Sequence, residues 1–300
     1  MRGQVALPIW LLAALPPLFW AGNFVLARAL HADIPPIALS FWRWSTALLI
    51  LLPFAWPGLR RQWPLLRQHW LLLSLLAVLG IANYNTFVYL GLQQTSATNG
   101  VLLSSATPMM IIALSFLLLG QRVNPFQLLG ILLSLVGVVV IATAGRPQLL
   151  SEMTLNWGDV WILSAGLDWA LYSVCLRWRP AQLEHLTFLA AIVAIGLIPL
   201  AGLYAWDIWR GHRFAMNGAN LAAIGYVGLF PSVLAYVFWH RAIDEMGANR
   251  TGQYMHLMPA FGALLALLLL GEQLMWYHAT GVALIAAGIL LARLRTSTRG

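Results

Sequence analysis

The chain has 300 residues, of which 61% are hydrophobic and only 9% charged, with a formal net charge of +8. A soluble domain carries about 25% charged residues to cover its surface, so this composition excludes an ordinary soluble enzyme and points to a membrane protein. All seventeen basic residues are arginine, but they sit in short connections between apolar runs and form no basic helix or cluster, which excludes nucleic acid as a partner.

Runs of about 20 apolar residues cross the hydrocarbon core as helices. The short alternating strands of a transmembrane barrel are absent. The pattern predicts an all-α protein of ten transmembrane helices. Five lie near 7–28, 35–56, 70–91, 96–119 and 125–144, and five near 157–178, 183–206, 219–241, 249–270 and 276–293. Pro35-Pro36, Pro57-Gly58, Asn124-Pro125 and Arg146-Pro147 supply turn signals between them. The first run has an arginine before it, as a secretory signal does, but it exceeds the usual ~7–15 apolar residues of such signals and counts as a span. Tryptophans near span ends, among them Trp56, Trp63 and Trp276, fit interfacial belts.

Polar and aromatic residues fall inside these spans in a definite order. Trp20 and Asn23 share one face of the first helix, as Trp169 and Tyr172 do in the sixth. Asn85 with Tyr89 in the third span, and Tyr236 with His240 in the eighth, are i, i+4 pairs. Ser104, Ser105 and Thr107 lie in the fourth span and His256 in the ninth. Such groups face a protein interior or a water-filled path. Interhelical hydrogen bonding and plain aromatic packing are the alternatives. Arg43 in the second span and Asp168 in the sixth are ionisable groups deep in the apolar runs. A mid-bilayer charge costs about 2.5–3.5 kcal/mol on insertion scales. Asp168 is therefore either a proton carrier or a structural charge paired to another helix, with Arg43 the candidate partner. Pro108 and Pro259 are candidate hinges, or static kinks.

The halves repeat each other. Ala97-Thr98-Asn99-Gly100 leads through Pro108 to Gly120-Gln121, and 151 positions later Ala248-Asn249-Arg250-Thr251 leads through Pro259 to Gly271-Glu272. Gly130 and Gly137 fall on Gly281 and Gly288 at the same offset, and Trp20-Ala21 falls on Trp169-Ala170 at 149. The expected units are 1–146 and 147–300. With a cytoplasmic amino terminus, Arg2, Arg60, Arg61, Arg67, Arg122, Arg177, Arg179, Arg241, Arg250, Arg293, Arg295 and Arg299 lie inside. Arg28, Arg146, Arg210 and Arg213 lie outside. Twelve against four sets both termini in the cytoplasm. Five spans per half then return the chain on the opposite side, so the second half is inverted. Arg122 and Glu272 follow the equivalent spans with opposite charge, as that flip requires.

These residues resemble the drug/metabolite transporter superfamily, and within it the ten-span EamA-type exporters. The likeness covers essentially the whole chain. It rests on Trp20-Ala21-Gly22-Asn23-Phe24, Arg43, the Ala97…Pro108…Gly120-Gln121 segment and the second copy ending Gly271-Glu272. Gln121 departs from the acidic residue usual at that place. Bacterial inner-membrane exporters of aromatic amino acids are the most similar subfamily. The resemblance implies efflux of phenylalanine, tyrosine, tryptophan or related metabolites, with other amino acids and drugs as cargoes on the same scaffold. No phosphate-binding G-x-x-x-x-G-K-[ST] loop occurs and the chain has no lysine, so ATP-driven transport by this chain alone is excluded. Seven dispersed histidines, no H-E-x-x-H spacing and the single Cys175 give no expectation of a metal or cofactor, nor of an intramembrane enzyme. The expected partners are a small-molecule solute and the lipid bilayer, with the protein acting as a monomer.

Overall fold

The computed structural model describes residues 8–29, 33–95, 97–150, 156–270 and 275–292, and every regular element among them is helical. Gly271 and Glu272 lie outside them, as do Arg2, Arg293, Arg295 and Arg299 of the arginine count. Helix α1 is Ile9–Ala29, α2 Pro36–Arg61, α3 Trp63–Gln68, α4 Trp70–Ala77, α5 Tyr84–Gln94, α6 Ala97–Ser104, α7 Thr107–Leu119 and α8 Pro125–Ala142. In the second half α9 is Trp157–Cys175, α10 His185–Trp209, α11 Gly218–Gly228, α12 Ala235–Met246, α13 Ala248–Gly252, α14 Leu257–Leu270 and α15 Trp276–Ala292.

Eight helical stretches among the described residues are long and apolar enough to cross a membrane: Ile9–Ala27, Pro36–Arg61, Trp70–Gln94, Asn99–Leu119, Pro125–Ala142, Trp157–Trp178, His185–Trp209 and Gly218–Met246. Trp276–Ala292 is apolar but shorter. The expected ninth span is a chain of three pieces, α13, a 3-10 turn at Gln253–His256 and α14. Large apolar side chains such as Phe54, Leu117 and Ile198 stand exposed at 72% on the outside, as a lipid-facing surface requires.

Local chemistry sets the boundaries. The Asn124 side chain accepts from the Phe126 amide to open α8, and Asn156 with Asp159 forms a capping box at α9. Gly120, in the left-handed region at φ 63°, closes α7. The turn expected at Pro57-Gly58 does not form. Helix α2 continues to Arg61 because α10 packs against Gly58, where an added Cβ would lie 2.0 Å from the Thr187 hydroxyl. Arg61 is paired with Glu184 there, and Gln62 Nε2 donates to the Gln182 carbonyl at 2.9 Å.

Helix α8 packs antiparallel on α15 through bare backbone. A Cβ on Gly130 would lie 2.3 Å from the Gly288 carbonyl oxygen, and one on Gly137 would lie 2.6 Å from that of Gly281. Small residues allow this approach in a membrane, where close packing holds helices together. The contact is reciprocal: Gly130 and Gly137 stand 151 positions before Gly281 and Gly288, so exchanging the two helices reproduces it.

Two π turns, at Val78–Asn83 and Leu229–Leu234, interrupt the third and eighth spans, again 151 positions apart. Pro231 in the second lacks an amide hydrogen, which breaks the α-helical ladder. The Ser232 hydroxyl then donates to the Val227 carbonyl at 2.6 Å. Gly80 takes the equivalent place in the first, where a Cβ would lie 2.6 Å from the Tyr172 ring.

Candidate functional site

Each π turn offers one backbone carbonyl to side chains of the other half of the chain. A π turn leaves a backbone carbonyl without its helical partner. The Gly80 carbonyl accepts from the Tyr236 hydroxyl at 2.5 Å, and the Pro231 carbonyl accepts from Trp20 Nε1 at 3.1 Å and Arg43 Nη2 at 2.9 Å. Each freed carbonyl is thus served by side chains from the opposite half.

Arg43 is fully buried. Its Nη1 donates to Asn23 Oδ1 at 3.0 Å and to the Tyr89 hydroxyl at 2.8 Å, while that hydroxyl donates to Asn23 Oδ1 at 2.7 Å. Its Nε has no partner, and its guanidinium carbon stands 5.3 Å from the Trp44 ring centroid. Among the described residues no carboxylate lies within 4 Å of the guanidinium. The expected pairing with Asp168 does not form. Arg43 spends its donors on neutral acceptors from α1, α5 and the second π turn. Asp168 is only half-buried and neighbours Asn83, at the end of the first π turn, with Oδ2 left without a partner.

Around Arg43 lies an aromatic cluster. The Trp20 and Trp169 rings, equivalent in the two halves, meet edge to face at 5.0 Å. Trp239 meets Trp20 edge-on at 5.1 Å and Trp169 at a tilt at 5.4 Å, and Tyr84 and Tyr236 pack on Trp169 at 4.7 and 5.2 Å. Tyr172 shares a 2.5 Å hydrogen bond with His240 Nε2. Asn85, buried with its Nδ2 unpartnered, stands 151 positions before Tyr236, its equivalent in the second half.

A further contact joins equivalent positions. His256 Nε2 donates to the Ser105 carbonyl at 3.1 Å, 151 residues away. Ser105 sits in the break between α6 and α7, and His256 ends the 3-10 turn before α14, so the two interrupted helices meet at their interruptions. Pro108 and Pro259 lie in the first turns of α7 and α14. A proline there displaces no helical hydrogen bond, so both mark helix starts after a break rather than bends within a helix.

The structure therefore gathers Trp20, Asn23, Arg43, Asn85, Tyr89, Trp169, Tyr172, Tyr236 and His240 in one buried region. Ser105 and His256 form a second contact point, and Asp168 stands to one side. Trp44, Tyr84 and Trp239 belong to the cluster and escaped the sequence reading. Trp239 follows Tyr236 by three residues and so shares its helical face, a signal the polar pairs on that helix masked. Among the described residues no group of three or more His, Cys, Asp or Glu could hold a metal ion. The centre offers a fixed guanidinium, amide and hydroxyl groups and ring faces: recognition chemistry.

Apolar spanning helices with irregular turns around a buried polar centre define a membrane transporter fold. A protein solved by crystallography shares it, with a TM-score of 0.76 at 20% identity over 94% of this chain and 95% of that one. The chain belongs to the EamA-like transporter family of the drug/metabolite transporter superfamily, which matches it twice, at residues 7–143 and 156–294. It is 32% identical to an uncharacterized transporter of Archaeoglobus fulgidus over 94% of this chain and 96% of that one. Identity is 25% to the uncharacterized transporter YyaM of Bacillus subtilis, over 92% of this chain and 90% of the relative. A probable terminal-alkyne amino-acid exporter of Streptantibioticus cattleyicolor is 26% identical over 97% of this chain and 95% of its own length.

Proposed function

We propose that this protein is a secondary transporter that exports amino acids with aromatic side chains, or related small metabolites, across the bacterial inner membrane. The observation that carries the reading is Arg43: a buried cation held by neutral groups, with no carboxylate of the described residues within 4 Å, beside a wall of rings. A solute carboxylate would replace Asn23 Oδ1, the Tyr89 hydroxyl and the Pro231 carbonyl as acceptors on the guanidinium. Charge-assisted, two-pronged bonds favour that exchange. An aromatic side chain would stack where Trp20, Trp169 and Trp239 now meet.

The exporter works by alternating access between 1–146 and 147–300, inserted in opposite orientations as ten helices with both termini cytoplasmic. Twofold-like contacts support this: Gly130–Gly288 with Gly137–Gly281, and Ser105–His256. The interrupted helices α6–α7 and α13–α14 act as the two gates, because unwound backbone yields more readily than intact helix. Asp168, with one free carboxylate oxygen, takes up a proton if transport is ion-coupled. Other amino acids suit the same guanidinium, in line with the relative described as a probable terminal-alkyne amino-acid exporter. Counterflow in proteoliposomes, with labelled phenylalanine, tyrosine, tryptophan, threonine and a cationic drug, tests the assignment. The expected result is exchange of the aromatic amino acids, chemically unchanged, with weak competition by the drug. Absence of both exchange and competition by all amino acids removes the assignment, and a converted product would identify an enzyme.

A further inference from the structure

A second site lies on the outer wall, away from the aromatic centre. Between α2 and α4 the sequence repeats with a period of seven: Trp56-Pro57-Gly58-Leu59-Arg60, then Trp63-Pro64-Leu65-Leu66-Arg67, then Trp70 with Leu73. Short helix α3 carries the middle copy, and breaks at Gln62 and His69 separate it from its neighbours. Despite the breaks, the repeat lines a single groove. Trp56, Trp63, Trp70, Arg60 and Arg67 line it together with leucines at 52, 59, 66 and 73, and its volume is about 780 Å³. Ala191, Ala194 and Ile195 of α10 form its far wall, the alanines leaving the space open.

The polar groups are confined to one end. Ile195 lies ten residues into α10 from His185, about 15 Å along the helix at ~1.5 Å per residue. The groove thus runs from the span ends into the apolar zone, with Arg60 and Arg67 at its mouth. The Arg60 guanidinium lies 4.7 Å from the Trp56 ring centroid. Both arginines are exposed, and among the described residues neither has an acidic partner, unlike Arg61, which is paired to Glu184. Exposed tryptophans at 49%, 64% and 58% frame the mouth at interfacial depth.

The structure assigns this groove to an anionic phospholipid, its phosphate between Arg60 and Arg67 and one acyl chain lying along Leu52, Leu66, Leu73 and Ala194. Charge complementarity selects the headgroup, since basic residues at a membrane surface attract anionic lipid. The apolar lining selects the chain, because each buried methylene adds to binding. A belt of interfacial tryptophans alone would sit on a convex surface and discriminate no headgroup.

Native mass spectrometry of the full-length protein, delipidated and titrated with phosphatidylglycerol or phosphatidylcholine of matched chains, tests the assignment. One phosphatidylglycerol is expected to bind at least tenfold more tightly than phosphatidylcholine. Arg60→Gln and Arg67→Gln are each expected to weaken it about fivefold, the effect of one basic residue near an anionic surface. Ala194→Trp, at an exposed position, is expected to fill the groove and abolish binding with both arginines intact. Arg122→Gln, outside the groove, is expected to leave it unchanged. Equal binding of the two lipids, full binding by Ala194→Trp, or displacement of phosphatidylglycerol by millimolar inorganic phosphate alone would overturn the assignment.

Discussion

Arg43→Met is expected to lower counterflow of the preferred amino acid about 100-fold while leaving the protein folded and nearly as stable as the wild type. The two effects separate because of how the guanidinium is held. Its acceptors keep other donors when it is gone: Tyr89 still donates to Asn23 Oδ1, and Trp20 still donates to the Pro231 carbonyl. The guanidinium is itself expensive, since a buried charge without a counter-ion forfeits several kcal/mol of hydration. Methionine fills a similar volume without that penalty. Solute binding loses charge-assisted hydrogen bonds, each worth about 1.5–3 kcal/mol, which gives the expected fold-change. Thermal unfolding in detergent together with counterflow reads both quantities. A variant that unfolds would make Arg43 a structural strut, and one that transports normally would remove it from the solute site.

The second large effect is expected at the α8–α15 seam. Gly130→Val and Gly288→Val each drive a side chain into backbone, at 2.3 Å from the facing carbonyl oxygen, which cannot move without parting the helices. Overpacking of this kind costs about 3 kcal/mol. Gly281→Val is expected to cost a similar amount, because its Cβ meets Ile141 at 2.4 Å and the Gly137 carbonyl at 2.8 Å. Gly225→Val and Gly262→Val, where an added Cβ meets nothing within 4 Å, are expected to change stability by less than about 1 kcal/mol. Chemical denaturation in detergent micelles measures the series. Equal losses at the open and the crowded glycines would show that this seam contributes little.

The helical architecture is plain in the sequence because length and hydropathy alone decide it. The repeat offset also marks the two helices, α8 and α15, whose glycines meet, and the equivalent pair Trp20 and Trp169. What the sequence conceals are choices made across space. Arg43 turns to Asn23, Tyr89 and a backbone carbonyl rather than to Asp168, since that carbonyl becomes available only when a π turn releases it. Only the second π turn carries a signal in its own residues, Pro231; the first has Gly80 at that place, and only the 151-residue offset marks the two as equivalent. Pro108 and Pro259 look like kinks in a linear reading, yet the breaks before them are held by a hydrogen bond 151 residues long in sequence. Trp44 and Tyr84 stayed hidden because one aromatic residue in an apolar run looks like any other until its neighbours are known.

Everything proposed about gating depends on the two halves facing opposite ways. Single cysteines at Gln121, after α7, and at Met275, before α15, test this directly in a Cys175→Ser background, both positions being exposed and Cys175 buried. In intact cells a membrane-impermeant maleimide is predicted to label Met275→Cys and to spare Gln121→Cys until the membrane is opened. Labelling of both from the same side would contradict the inverted arrangement and the alternating access built on it.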